Sequence, residues 1–186
     1  MLVLLDRDGV INEERGDYVT RTEEMILIDG AADAIARLNR AGYRIAVITN
    51  QGCIGRGLID EARLKDIHEH MQALLAAAGA RIDRIYVCPD PPWAATERRK
   101  PAPGMLYEAL EDFAARPEQT PFIGDSLRDL QAACAAGCPP MLVRTGHGRR
   151  TEREGLPPLP LPVKIHDDLT ATVDYILRTN RAGDVS

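Results

Sequence analysis

Aromatic side chains are scarce in this chain, with one Trp, two Phe and five Tyr among 186 residues. With no evident apolar surface stripe either, a monomer is the expected state. Charge of one sign is also lacking. Lys and Arg number 23 against 28 Asp and Glu, a net charge of −5, and the basic residues are scattered. That pattern leaves no electrostatic footprint for nucleic acid or for an anionic membrane surface, so neither partner is expected. No apolar run approaches the roughly 18 residues of a membrane span. The opening segment Met1-Leu2-Val3-Leu4-Leu5 meets Asp6 too early to form a signal-peptide core, so a cytoplasmic protein is expected. The four cysteines, Cys53, Cys88, Cys134 and Cys138, lie far apart and read as free thiols.

What the chain does have is a regular alternation. Short apolar runs at Leu2–Leu5, Tyr43–Ile48, Ile82–Val87, Pro121–Ile123 and Met141–Val143 have the length of buried parallel strands. Helical patterns fall between them at 31–41, 60–78, 104–114 and 127–136, with Asp60 placed to cap the longest and Gly79 to stop it. A last helix is expected near 169–178, after a Pro-rich surface crossing at 155–162. The expected architecture is a three-layer, Rossmann-like α/β domain with a mainly parallel sheet, spanning 1–179 and followed by a frayed tail at 180–186.

Ligands bind beyond the carboxyl ends of parallel strands, so the residues that follow each run carry the most weight. The first run is followed by Asp6-Arg7-Asp8-Gly9, the second by Thr49-Asn50-Gln51, and the fourth by Gly124-Asp125-Ser126 with Asp129 beyond. An Asp after a strand can simply cap the next helix. Three converging carboxylates repel one another and call for a hard divalent cation with oxygen ligands, of which magnesium is the natural choice. Lys100, in Arg98-Arg99-Lys100-Pro101, should approach the same edge, while Arg98 reads as solvated. Thr49, Asn50 and a lysine beside a metal make a pocket suited to a phosphoryl group.

Asp6-x-Asp8-Gly9, Thr49, Lys100 and Gly124-Asp125-x-x-x-Asp129 together resemble the four motifs of the haloacid dehalogenase-like phosphohydrolases. Within them the chain is similar to the D-glycero-D-manno-heptose 1,7-bisphosphate phosphatases and the related histidinol-phosphate phosphatases. Leu5 to Asn12, Thr49-Asn50-Gln51, Arg56-Gly57, Arg99-Lys100-Pro101, Gly104-Met105 and Val143 to Gly146 carry the likeness. The short interval from Asp8 to Thr49 leaves room for a minimal cap only. The resemblance implies a magnesium-dependent phosphatase acting through an aspartyl-phosphate, most simply on C7 of the heptose bisphosphate and so in bacterial heptose supply for lipopolysaccharide. Histidinol phosphate or another sugar phosphate is the alternative. It implies Asp6 as nucleophile and metal ligand, Asp8 as general acid and base with its carbonyl on the metal, and Asp125 as a further ligand. Thr49 and Lys100 would hold the phosphoryl oxygens, Asp129 would orient Lys100, and Asn50, Gln51, Arg99, Lys100 and Ser126 would meet the substrate. A phospho-receiver domain fits less well, because its acceptor Asp should follow the third strand, where Cys88-Pro89 stands. A silent sugar-phosphate binder would not need both Asp6 and Asp8.

One part of the family pattern is broken. Relatives commonly hold zinc with a Cys-x-His and a Cys-x-Cys pair before the Arg-Lys-Pro motif. Here Asp90 stands where the His would, and Thr96-Glu97-Arg98 lacks the later cysteines, so no zinc is expected. Four prolines or aromatics, Pro89, Pro91, Pro92 and Trp93, would stiffen the loop in its place. The remaining candidates weigh less. His68 and His70 are expected to face solvent, His147 and His166 to sit in loops, and Cys134 and Cys138 to be small packing residues. Gly146-His147-Gly148 is too incomplete for a dinucleotide site.

Overall fold

A computed structural model describes residues 1–183. Six strands form one wholly parallel sheet: β1 (Leu2–Leu5), β2 (Arg44–Asn50), β3 (Arg84–Cys88), β4 (Phe122–Gly124), β5 (Pro140–Val143) and β6 (Lys164–His166). Their spatial order is β3-β2-β1-β4-β5-β6, a doubly wound arrangement that reverses direction between β1 and β4. The helices are α1 (Ala31–Arg40), α2 (Glu61–Ala77), α3 (Gly104–Asp112), α4 (Leu127–Ala136), α5 (Gly148–Glu154) and α6 (Leu169–Gly183).

All four residues of β1 are buried, and they divide between two cores by the period-two alternation of a strand. Val3 and Leu5 face the core built by Ile35 and Leu38 of α1, Ile67 and Met71 of α2, and Val173 of α6. Leu2 and Leu4 face the opposite core, with Met105 and Leu106 of α3 and Ala132 and Ala133 of α4. This is the three-layer α/β architecture that the alternation predicts. α2 starts where Asp60 accepts the Arg63 N–H at 2.7 Å and ends before Gly79, whose φ of +74° suits glycine.

Several elements depart from the sequence reading. A sixth strand, β6, closes the edge with Lys-Ile-His, too short and polar to register as an apolar run. His166, expected in a loop, ends that strand with its ring 5.1 Å from that of Tyr175. α5, Gly-Arg-Arg-Thr-Glu-Arg-Glu, has no apolar periodicity, so nothing marked it as a helix. β2 extends through Thr49 and Asn50, and β3 begins two residues late because Asp83 turns to accept the Ile45 N–H at 2.7 Å. α6 continues through Gly183, into the stretch expected to fray, and 184–186 lie outside the described residues. Among the described residues no helix is long and apolar enough to cross a membrane.

The core and cap assignments give a direct expectation. Ile35→Ala, at a fully buried site, should lower unfolding free energy by about 2–5 kcal/mol. Asp60→Ala should cost about 1 kcal/mol. Urea unfolding measures both, and equal losses would contradict the assignment.

Candidate active site

Where the strand order reverses, the sheet opens a crevice at its carboxyl edge. Asp6 leaves β1 there, Asp125 leaves β4, and Thr49 and Asn50 end β2. Carboxylate oxygens of Asp6, Asp125 and Asp129 lie within 4.8 Å of one another. They border a cleft of about 470 Å³ that also reaches Asp8, Arg99 and Lys100.

Lys100 joins these pieces. Its ammonium, 3% exposed, meets Asp6 Oδ1 at 2.9 Å and Asp129 Oδ1 at 2.7 Å, and donates to the Ile48 carbonyl at 2.8 Å. Burial would push the lysine pKa down, but the Asp129 and Asp6 charges raise it, so the group stays protonated. The ammonium is thus ion-paired with two carboxylates and hydrogen-bonded to one carbonyl. Asn50 fixes the lysine's backbone: its amide donates to Lys100 O at 3.0 Å and accepts the Lys100 N–H at 3.1 Å. One Asn50 N–H is committed to the chain in this way, and the residue still borders the cleft where a substrate contact is expected.

Burial, then the mutual repulsion of the acids, pushes the Asp125 carboxyl upward. Burial likewise raises Asp6, against the attraction of Lys100. Fully ionised, the three carboxylates against one ammonium would leave two negative charges, which a divalent cation would balance. An oxygen-only donor set suits magnesium, and the residues present fit that ion. Gly9 makes the approach possible. It has φ +77°, and a Cβ there would stand 2.1 Å from Asp125 Oδ2. Asp125 Oδ2 also accepts the His147 N–H at 2.7 Å. Asp6 Oδ1 accepts the Arg7 N–H at 2.7 Å in addition to Lys100, while Oδ2 has no hydrogen-bond partner among the described residues.

The Asp8 side chain belongs to a different network. It receives Arg7 Nη2 at 2.8 Å, Asn12 Nδ2 at 2.9 Å and Gln51 Nε2 at 2.9 Å. Burial alone would raise its pKa, but the Arg7 charge and these hydrogen bonds bring it below the ordinary carboxylate value. Asp129, not the Asp8 side chain, therefore completes the carboxylate trio. Gln51, expected to touch substrate, is fully buried and also donates to Thr49 Oγ1 at 2.8 Å. Because Thr49 accepts there, its own O–H remains to donate elsewhere. Ser126 borders the cleft, but its hydroxyl donates to Asp129 Oδ2 at 2.6 Å as part of the α4 cap.

Sequence reasoning missed Arg7 and misplaced His68. Arg7 is fully buried between Asp8 and His68, whose Nε2 accepts from Arg7 Nη1 at 3.1 Å. Burial and then the Arg7 charge push the His68 pKa down to about 4, so the ring is neutral instead of solvated. Glu14, Tyr18, Arg56, Arg128 and His147 also border the cleft without having been singled out as site residues. For His147 the flanking glycines were the available signal of a close approach.

The loop that departs from the zinc pattern is held by protein contacts. Asp90 accepts the Thr96 N–H at 2.9 Å and its hydroxyl at 2.5 Å. Arg99 Nη1 donates to Asp90 O at 2.5 Å. Arg98 is not merely solvated, because it pairs with Glu108 and donates to Val87 O at 2.9 Å. Cys88 is buried, and among the described residues no trio of His, Cys, Asp or Glu ligand atoms includes it.

Comparison with known proteins places this geometry. Two family models match: polynucleotide kinase 3 phosphatase over residues 3–134 and HAD-hydrolase-like over residues 97–172. A D-glycero-beta-D-manno-heptose-1,7-bisphosphate 7-phosphatase of Bordetella bronchiseptica is 41% identical over 177 residues, covering 95% of this chain and 98% of the relative. A protein of the same name from Pseudomonas putida is 44% identical over 170 residues, covering 91% and 95%. The crystal structure of the B. bronchiseptica D,D-heptose 1,7-bisphosphate phosphatase, complexed with magnesium and phosphate, superposes with a TM-score of 0.92 at 41% identity, over 96% of this chain and 98% of that one. The Burkholderia thailandensis phosphatase of the same name gives 0.73 at 43% identity, over 95% and 97%. With the trio of acids and its buried lysine at the switch point of a doubly wound sheet, the chain belongs to the haloacid dehalogenase-like phosphatases.

Proposed function

We propose that this protein is a magnesium-dependent phosphomonoesterase that removes the C7 phosphate of D-glycero-D-manno-heptose 1,7-bisphosphate through an aspartyl-phosphate on Asp6. The observation that carries this reading is the meeting of Asp6 and Asp125 at one crevice, with Lys100 bonded to Asp6 at 2.9 Å. The names and near-complete coverage of the relatives support the substrate.

Magnesium, held by Asp6 and Asp125 with the Asp8 carbonyl, would neutralise the negative charge of the phosphoryl group and orient it. Asp6 Oδ2, the oxygen free of hydrogen bonds, attacks phosphorus in line as the bond to the C7 oxygen breaks. Lys100 restrains Oδ1 and so aims Oδ2. Thr49 donates its spare O–H to a nonbridging oxygen. Asp8 gives a proton to the departing sugar oxygen and, in the second step, takes one from the water that displaces Asp6 from phosphorus. Phosphate leaves and Asp6 is regenerated. As Arg7 holds it, Asp8 is the carboxylate that accepts the water's proton, and donation requires the carboxyl to turn off Arg7. Gln51 is a positioning residue for both Asp8 and Thr49.

Three outcomes test the reading. Wild-type protein should release inorganic phosphate from the heptose bisphosphate, lose that activity to a chelator and regain it with added magnesium, whereas Asp6→Asn should release none. Activity that survives chelation or Asp6→Asn refutes the mechanism. Asp8→Asn should lower kcat by about 10²–10⁴-fold with little change in KM, and an unaltered kcat would remove Asp8 from proton transfer. Metal analysis of purified, untagged protein should find no stoichiometric zinc, because Asp90 and Thr96 close the loop themselves. One zinc per chain would overturn that account.

A further inference from the structure

The Asp8 carboxyl has a support that reaches well behind the cleft. Arg7 presents one edge of its guanidinium to this acid, with Nε 3.2 Å and Nη2 2.8 Å from Oδ1, and Nη2 3.0 Å from Oδ2. The third nitrogen, Nη1, is bonded instead to His68 Nε2 at 3.1 Å, its one acceptor among the described residues. Arg7 is fully buried, so no solvent reaches that nitrogen in place of the histidine. Asn12 and Gln51 hold Asp8 from other sides, but neither touches the guanidinium.

His68 stands on the buried face of α2 with Leu64, Ile67, Met71 and Leu75, and is 8% exposed. Packing alone would be served better there by another apolar side chain, because a buried imidazole must be stripped of water and given a partner. A guanidinium can only donate, so Nε2 offers its lone pair and the ring proton lies on Nδ1. Burial and the Arg7 charge keep the ring neutral, as this contact requires. The ring does not border the catalytic cleft. It borders a separate one, of about 400 Å³, with Leu64, Val87 and Pro89. Any part it has in the reaction is therefore exerted through Arg7.

We infer that His68 is a positioning residue for proton transfer: by accepting from Arg7 Nη1 it anchors the guanidinium, and so fixes where the Asp8 carboxyl rests between giving a proton to the departing sugar oxygen and taking one from water. The inference rests on the role of Asp8 proposed above. With Nη1 held, the guanidinium cannot swing without breaking a buried hydrogen bond. Without the histidine, Arg7 keeps its bonds to Asp8 but loses its anchor, and the pair shifts together. Proton transfer is sensitive to such a shift, since a displacement of about 1 Å in a reacting group costs about 10²-fold in rate. Substrate binding is not, because neither Arg7 nor His68 borders the catalytic cleft.

The test measures phosphate release from the heptose bisphosphate by the full chain with magnesium. His68→Leu should lower kcat by about 10- to 100-fold and leave KM little changed. Two polar variants separate positioning from packing. Gln places its oxygen where Nε2 stands and Asn places its own where Nδ1 stands, so His68→Gln should recover most of kcat and His68→Asn should not. If His68→Leu fails to fold, this pair decides. Combined with Asp8→Asn, the His68→Leu change should lower kcat no further, because the two act through one carboxyl. Wild-type kcat in His68→Leu, equal kcat in the Gln and Asn variants, or a further multiplied loss in the double variant overturns the inference. Asp8→Asn alone judges the proposed reaction: wild-type kcat there defeats that reading, whereas a slow Asp8→Asn beside a fast His68→Leu defeats only the role of His68.

Discussion

The ammonium of Lys100 lies where the ends of β1 and β2 and the start of α4 come together, bonded to Asp6, Ile48 and Asp129. A charge buried this deeply is costly unless it is paired, and here two carboxylates pair with it while a backbone carbonyl accepts from it. The same contacts fix Asp6 Oδ1 and hold Asp129 against the α4 cap. Asn50 clamps the lysine's peptide group from the end of β2, so the 88–103 segment is registered against the sheet by polar contacts. The other parts of the site take their places around this one cation.

A second layer of order stands behind Asp8. Arg7 points into the protein, neutral His68 on α2 accepts one of its N–H groups, and Asp8 takes two others. An arginine here fills a buried space, satisfies Asp8 and needs an uncharged acceptor on its far side, which the depressed His68 pKa provides. The Asp-Arg-Asp run thus contains two outward acids with separate surroundings and one inward base that distinguishes them. Asp6 belongs to Lys100, and Asp8 belongs to Arg7.

The apolar alternation made five of the six strands and most of the long helices legible, because burial leaves a period in the sequence. The acids at strand ends were legible for a related reason: parallel topology sends all those ends to one edge. What could not be read was the choice of partner among polar groups. Asn50, Gln51 and Ser126 looked like ligand donors, yet each is turned to a protein atom: Lys100, Asp8 or Asp129. Amide and hydroxyl groups carry no periodic signature, and their partners lie far along the chain. His68 shows the same limit, since its burial depends on Arg7, 61 residues away. β6 and α5 escaped notice because each packs through few apolar residues, with Thr151 of α5 anchored on the Asp125 carbonyl.

The strand leading to the nucleophile also bears on how this enzyme can diverge. Val3 and Leu5 enter one core and Leu2 and Leu4 the other, and Asp6 follows without an intervening residue. A single-residue insertion or deletion within that tetrad would exchange the two sets of side chains and rotate the next carboxylate to the wrong side. Divergence by length change is therefore disfavoured at this point of the chain and is left to its loops, which as a class tolerate insertion better than buried strands.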